Sequence, residues 1–256
     1  MSEAIQPVNI LTLKWGTRYG PHYANRLRAG VERHLSRPFR FLCFTDDPSG
    51  LHPDIETYPL VQLGHLPERI RTTTWLKLAL FADDLAGGLR GQSMFLDLDL
   101  LITGPIDSFF EYKPDKICII HNWIEWHKQL FRQRPRIGNS SVFRFESGTC
   151  QHVVDQYYSE HEWALANFHP PQTYLTHCIR ERMAFWPEDW VRSFKRHCRP
   201  AFPLNLFLPP RYPSDARMIA FHGRPDPHMA LEGYKGKRAH HTVKPTRWIA
   251  DHWNEQ

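Results

Sequence analysis

Asp97 and Asp99 interrupt an otherwise apolar run, Met94-Phe95-Leu96-Asp97-Leu98-Asp99-Leu100-Leu101-Ile102. Such a run reads as a strand buried on both faces, in a sheet covered by helices. Charge is expensive to bury unless it is paired or binds a metal. The period of 2 along a strand puts both carboxylates on one face and Leu98 on the other. If the strand ends here, they emerge at its carboxyl edge, where open α/β sheets hold their ligands. Two adjacent hard oxygen ligands suit Mg²⁺ or Mn²⁺ shared with substrate phosphates. The competing reading is a strand end with solvated aspartates or helix caps.

The surrounding pattern supplies the elements that would position this pair. Asn9 to Lys14 reads as a first strand, followed by the loop Trp15-Gly16-Thr17-Arg18-Tyr19 and a helix over 22–34 with Tyr23, Leu27 and Val31 on one face. Strands follow over 39–44, ending at Thr45-Asp46-Asp47-Pro48, and over 55–61. A helix over 74–81 precedes the Met94 strand. This βαβ…αβ alternation predicts a mostly parallel sheet. Further on, 116–122 and 139–145 read as strands, 150–167 and 172–183 as helices, and 218–221 as a last short strand. Between Trp186 and Pro213 the chain is rich in Pro and aromatics and reads as extended loops. We expect one domain over 1–231 and a basic, aromatic C-terminal extension over 232–256.

The 256 residues, 41% hydrophobic and 23% charged, describe a globular chain with a sizeable core. A net charge of +5 fits an anionic substrate or surface, but no basic run with interleaved aromatics resembles a nucleic-acid groove. The five cysteines are odd in number and lack C-x-x-C spacing, which argues for reduced thiols and a cytoplasmic location. Met1 to Val8 has no apolar h-region, so we expect no signal peptide. Nor is there an uncharged apolar run long enough to span a membrane.

Taken in order, several short motifs resemble the GT-A class of nucleotide-sugar-dependent glycosyltransferases, particularly the bacterial enzymes near family 8. They are the first strand with its Trp15-Gly16 loop, Phe44-Thr45-Asp46-Asp47, Trp75-x-Lys77, Phe95-Leu96-Asp97-Leu98-Asp99, Asn139-Ser140-Ser141-Val142, Gln172-Thr173-Tyr174-Leu175 and Phe221-His222-Gly223. The resemblance implies a Rossmann-like GT-A sheet, a UDP-sugar or related donor, and a D-x-D metal site for Mn²⁺ or Mg²⁺. Pro171 stands where the family usually has Asp. The late motif lacks the usual lysine near the diphosphate, a place Arg224 could take beside Gly223.

On this resemblance Asp97, Asp99 and His222 hold the metal, and neutral imidazole favours Mn²⁺. The base and ribose lie over the end of the first strand, with Thr12, Lys14, Trp15 and Tyr19 as candidates and Asp46 facing a pyrimidine edge. Lys77 and Arg71 could reach phosphate, or be solvated cations on a helix surface. Asn139 orients the donor sugar, and Gln172 lies beside its anomeric carbon. Inversion needs a carboxylate base, and Glu125, Asp189 and Asp226 stand in no obvious motif, so retention is the expectation. The acceptor, a carbohydrate or a lipid-linked glycan, should meet 122–127 and 186–199, whose tryptophans either stack on sugars or serve the core. The tail is a candidate for contact with the inner face of a membrane. A docked extension is the competing reading.

Two other functions fit the same outline. A nucleotidyltransferase would carry a Gly-rich, basic loop after the first strand, whereas Trp15-Gly16-Thr17-Arg18-Tyr19 has one glycine. A non-catalytic carbohydrate-binding protein would have lost the acidic pair.

Overall fold

The computed structural model describes residues 6–70, 73–123 and 137–256. Arg71 and Glu125 lie outside them, as do the other residues of 124–127. Strand β1 (Val8–Lys14) is buried along its whole length. Val8 and Ile10 enter one core and Leu11 and Leu13 another, as a strand covered on both faces requires. Helix α1 (Pro21–His34) begins on a proline, whose fixed φ suits a first turn, and buries Tyr23, Leu27 and Val31 in the first core. Strands β2 (Phe39–Thr45) and β3 (Ile55–Pro59) continue outward in parallel. The chain then returns to the other edge of β1 with the parallel strand β4 (Gly91–Leu96). The order therefore reverses between β1 and β4, the switch point at which open α/β sheets bind ligands.

The apolar run around Asp97 is not one strand. It stops at Leu96, turns through Asp97-Leu98-Asp99, and resumes as β5 (Leu100–Ile102) in a different sheet. The Asp97 amide still donates to the Ser141 carbonyl (2.9 Å), while the Asp99 carbonyl accepts from the Phe221 amide (3.1 Å). The backbone thus changes hydrogen-bond ladder within three residues. Leu98 is buried in the first core, so the in-and-out alternation survives although the strand does not.

Strands β6 (Ile117–His121), β7 (Gly138–Ser147) and β8 (Met183–Phe185) complete the large sheet, ordered β3-β2-β1-β4-β7-β6-β8 with β7 antiparallel to both neighbours. The small sheet places β10 (Met218–Ala220) between β5 and β9 (Val191–Ser193). Arg144 on β7 is fully buried, and among the described residues no carboxylate pairs with it. Its guanidinium donates to the carbonyls of Phe109 (3.2 Å), Phe110 (3.1 Å), Lys113 (2.6 Å) and Lys116 (2.9 Å), closing the end of helix α2 (Ser108–Glu111).

The segment Thr74–Phe81 is a tight 3₁₀ helix, not an amphipathic α-helix. From Trp75 to Phe81 it is buried all round, and it has no solvent face to display a helical period. Helix α3 (His152–Asn167) follows its expected span, but α4 (Pro171–Cys178) ends early because Met183 pairs with Ile117 as β8.

Val243, Ile249 and Trp253 of the tail join the first core, and Tyr234 bridges to Val243. The Trp253 ring lies 5.1 Å from Tyr23, with the Arg26 guanidinium 4.1 Å above it. The docked reading holds for these residues. Trp253→Ala should destabilise the protein by about 3–5 kcal/mol, the usual loss for a buried tryptophan. An unchanged urea midpoint would show that the tail adds nothing to the core. All five cysteines are free, and among the described residues no helix is long and apolar enough to cross a membrane.

Candidate functional site

A cavity of about 390 Å³ opens at the carboxyl ends of β1 and β4. Leu13 and Trp15 come from the end of β1, and Arg18 and Tyr19 from the loop that follows. Thr74 and Lys77 come from the 3₁₀ helix, and Asp97 and Asp99 from the turn after β4. Asn139 to Ser141 belong to β7, Gln172 to the start of α4, and His222 and Gly223 to the turn after β10.

Each charged group and the imidazole in the cavity is held by another group. The Lys77 ammonium is buried, 2.7 Å from Asp97 Oδ1, and donates to the Ser140 carbonyl at 2.9 Å. It is not a solvated cation on a helix surface. It answers the Asp97 charge from within the cavity lining. The Tyr19 hydroxyl donates to Asp99 Oδ2 at 3.0 Å and stands 3.4 Å from Asp226 Oδ1, which also accepts from Arg18 at 2.9 Å. Arg18 and Asp226 thereby pin the loop after β1 against the turn after β10. Burial, then the nearby Asp97 charge, pushes the Asp99 carboxyl well above the usual carboxylate range, against the pull of Tyr19 and Lys77.

His222 Nε2 shares a 2.6 Å hydrogen bond with Ser193 Oγ, and its ring stacks on Trp123 at 5.3 Å and 19°. Burial, then the cationic Lys195 and Arg196, pushes the imidazole down to about 4, so it is neutral at pH 7. Lys195 Nζ donates to the His222 carbonyl. Gly223 follows with φ 72°, a left-handed backbone that suits glycine, and a Cβ there would stand 3.1 Å from Lys195 Nζ.

Two carboxylates and a neutral imidazole on one cavity wall form a donor set of the right chemistry for a divalent cation. The crowding that raises Asp99 is what such an ion would relieve. Among the described residues, no three His, Cys, Asp or Glu groups stand close enough to hold a metal jointly. Each of the three side chains instead has a protein partner, Lys77, Tyr19 or Ser193.

Of the residues expected here, Trp15, Tyr19, Lys77, Asp97, Asp99, Asn139, Gln172, His222 and Gly223 line the cavity. Thr12, Lys14, Asp46 and Arg224 do not. Thr12 is buried within β1 and donates to the Leu96 carbonyl (2.9 Å), tying β1 to β4. Lys14 donates to the Asp47 carbonyl (2.9 Å), and Asp46 accepts from the Gly16 amide (2.8 Å), so both shape loops. Arg224 is exposed outside the lining. Arg18 and the pairing role of Asp226 were missed, and Ser193 and Lys195, expected within 186–199 on the acceptor side, hold His222. The Trp-Gly-x-Arg-Tyr loop carried the one available signal, for Arg18. Trp186 and Trp190 pack on Phe109 at 4.8 and 4.9 Å and serve the aromatic core.

No family model matches the sequence, and no curated protein matches it. Solved structures do. The galactosyltransferase LgtC in complex with donor and acceptor sugar analogues superposes with a TM-score of 0.56 at 12% identity, over 86% of this chain and 88% of that one. The apo form of the glycosyltransferase GlyE from Streptococcus pneumoniae TIGR4 gives a TM-score of 0.58 at 10% identity, over 86% of this chain and 55% of that one. An active-site mutant of LgtC, a glutamine changed to glutamate, also superposes at 0.56. The chain has the GT-A-like glycosyltransferase fold that its motifs led us to expect.

Proposed function

We propose that this chain transfers a glycosyl group from a nucleotide diphosphate sugar, UDP-linked by preference, to a hydroxyl of a carbohydrate or lipid-linked glycan. The observation that carries this reading is the convergence of Asp97, Asp99, His222, Asn139 and Gln172 on one cavity at the switch point of the sheet. LgtC, which shares the fold, was solved with donor and acceptor sugar analogues, and one of its active-site mutants replaces a glutamine. Both facts support a nucleotide-sugar site that includes Gln172.

Asp97, Asp99 and His222 would have to draw together from their present partners to hold Mn²⁺ or Mg²⁺, an ion that would neutralise charge on the departing diphosphate. The chain's own residues do the positioning. Lys77 fixes Asp97, Tyr19 fixes Asp99, and Ser193 with Trp123 sets the plane of the His222 ring. Asn139 Oδ1 accepts from the Ser141 amide (2.9 Å), leaving its amide nitrogen to meet sugar hydroxyls. In the transfer the bond from C1 to the phosphate oxygen breaks, the diphosphate keeping the electron pair. The acceptor oxygen bonds to C1 and its proton passes to a phosphate oxygen of the departing nucleotide. Among the described residues no carboxylate besides Asp97 and Asp99 lines the cavity, which supports retention over base-assisted inversion.

The test is a melting-temperature panel of nucleoside diphosphates with and without Mn²⁺. At about a hundredfold over Kd, a bound nucleotide adds about 2.7 kcal/mol, or about 5–10 °C for a chain of this size. One base should give a metal-dependent rise, with release of that diphosphate in the presence of a sugar donor and acceptor. A flat panel, or pyrophosphate release from a nucleoside triphosphate and a sugar phosphate, would overturn the proposal.

A further inference from the structure

A second, larger cavity of about 700 Å³ shares a wall with the first. The wall is Trp123, stacked on His222, and Lys195, bonded to the His222 carbonyl. Among its described lining residues Arg192, Lys195, Arg196 and Arg199 are cationic, and Glu188 is the one carboxylate. Arg192 is answered by Asp215 at 2.6 Å. Lys195 and Arg199 are half-buried, and among the described residues no carboxylate pairs with either.

The local backbone makes this concentration. Phe194–Cys198 is a single wide π turn, opened by Ser193 Oγ accepting from the Arg196 amide. Phe194 and Cys198 are buried, and the residues between them carry the charge. Burial and the neighbouring Arg196 hold the Arg199 guanidinium below its ordinary value. Lys195 and Arg199, two like charges in a half-buried hollow, are unfavourable alone and become favourable around an anion. Guanidinium forks match phosphate oxygens, and a nearby ammonium adds a point charge. Trp123 on the shared wall offers an aromatic face to a sugar ring.

We propose that this second cavity is the acceptor site and that the acceptor carries a phosphate group, held by Lys195, Arg196 and Arg199. The inference rests on the donor reading of the first cavity. The phosphate belongs either to a phosphorylated saccharide or to the link between a saccharide and a lipid carrier. Phe202, which lines this cavity, is 58% exposed, and Leu204 and Phe207 beyond it are also exposed, so the lipid link has an apolar ledge to follow.

The experiment is calorimetry on the full chain saturated with Mn²⁺ and the stabilising nucleoside diphosphate, so that the donor site is filled. Glucose 1-phosphate, a prenyl-phosphate-linked glucose and methyl glucoside are titrated into wild type, Arg199→Gln and Arg196→Gln. The phosphate-bearing probes should bind at least about tenfold more tightly than methyl glucoside, and each variant should lose about tenfold for them alone. Both variants should keep the melting rise given by the nucleotide. Prenyl phosphate ahead of glucose 1-phosphate assigns the lipid link, and equal affinities assign a soluble sugar phosphate. Equal binding of all three probes, or no loss in either variant, overturns the proposal while the donor reading stands. If no nucleoside diphosphate binds, both fall.

Discussion

Asp99→Asn should abolish metal-dependent nucleotide stabilisation and lower glycosyl transfer about a thousandfold, a change of about 4 kcal/mol, while the ligand-free variant melts higher than wild type. The two effects have one cause. Asp99 is desolvated beside Asp97 and Asp226, and its charge costs stability until something positive arrives. Asparagine keeps an oxygen to accept from Tyr19 and removes the repulsion, a gain of about 1 kcal/mol, or about 2–4 °C. A carboxyl raised above its unfolded value destabilises once the pH exceeds the folded value, and the cost fades as the pH falls toward the unfolded one, about 4. The variant's advantage should therefore be present at pH 8 and shrink on acidification. A variant that melts lower at pH 8 would sink the crowding account. One that still binds nucleotide with metal would sink the ligand role.

Arg144→Met, far from either cavity, should be about as damaging as Trp253→Ala. The guanidinium meets four carbonyls, of which those of Phe109 and Lys116 have no other donor among the described residues, and each such orphan costs about 1–3 kcal/mol where water cannot reach it. Partial relaxation brings the expected loss to about 3–5 kcal/mol, or about 10 °C in melting temperature. Arg144→Lys should recover only part of it, because one ammonium cannot span both ends of the fork. Urea unfolding of both variants decides the matter, and a loss below about 1 kcal/mol for methionine would mean that the turn after α2 holds itself.

What the sequence disclosed about the site follows from where charge meets apolar surroundings. Asp97 and Asp99 stood out because nothing else in their run was polar, and the same logic applies to Lys77 in Thr74-Trp75-Leu76-Lys77-Leu78-Ala79-Leu80-Phe81 and to Arg144 in Val142-Phe143-Arg144-Phe145. Neither of those cations was taken as a buried partner, since a lone cation in a short helix or strand looks like a solvent face. Thr12 and Lys14 show the converse. A strand covered on both sides leaves its polar side chains to bond neighbouring backbone. The parallel half of the sheet was legible from alternation alone. The hold of Ser193 and Lys195 on His222 was not, because they reach it across 29 and 27 residues from a Pro-rich stretch without periodicity.

The three residues that carry the backbone from one sheet to the other also divide the molecule into two separately bonded parts. Asp97 to Asp99 are the turn at which the large sheet ends and the small sheet begins, and each sheet closes its own ladder. Substitutions in β9, β10 and the turns they carry leave the register of the large sheet untouched. An outline held by two separate ladders can be met by very different sequences, as the TM-score of 0.56 to LgtC at 12% identity illustrates.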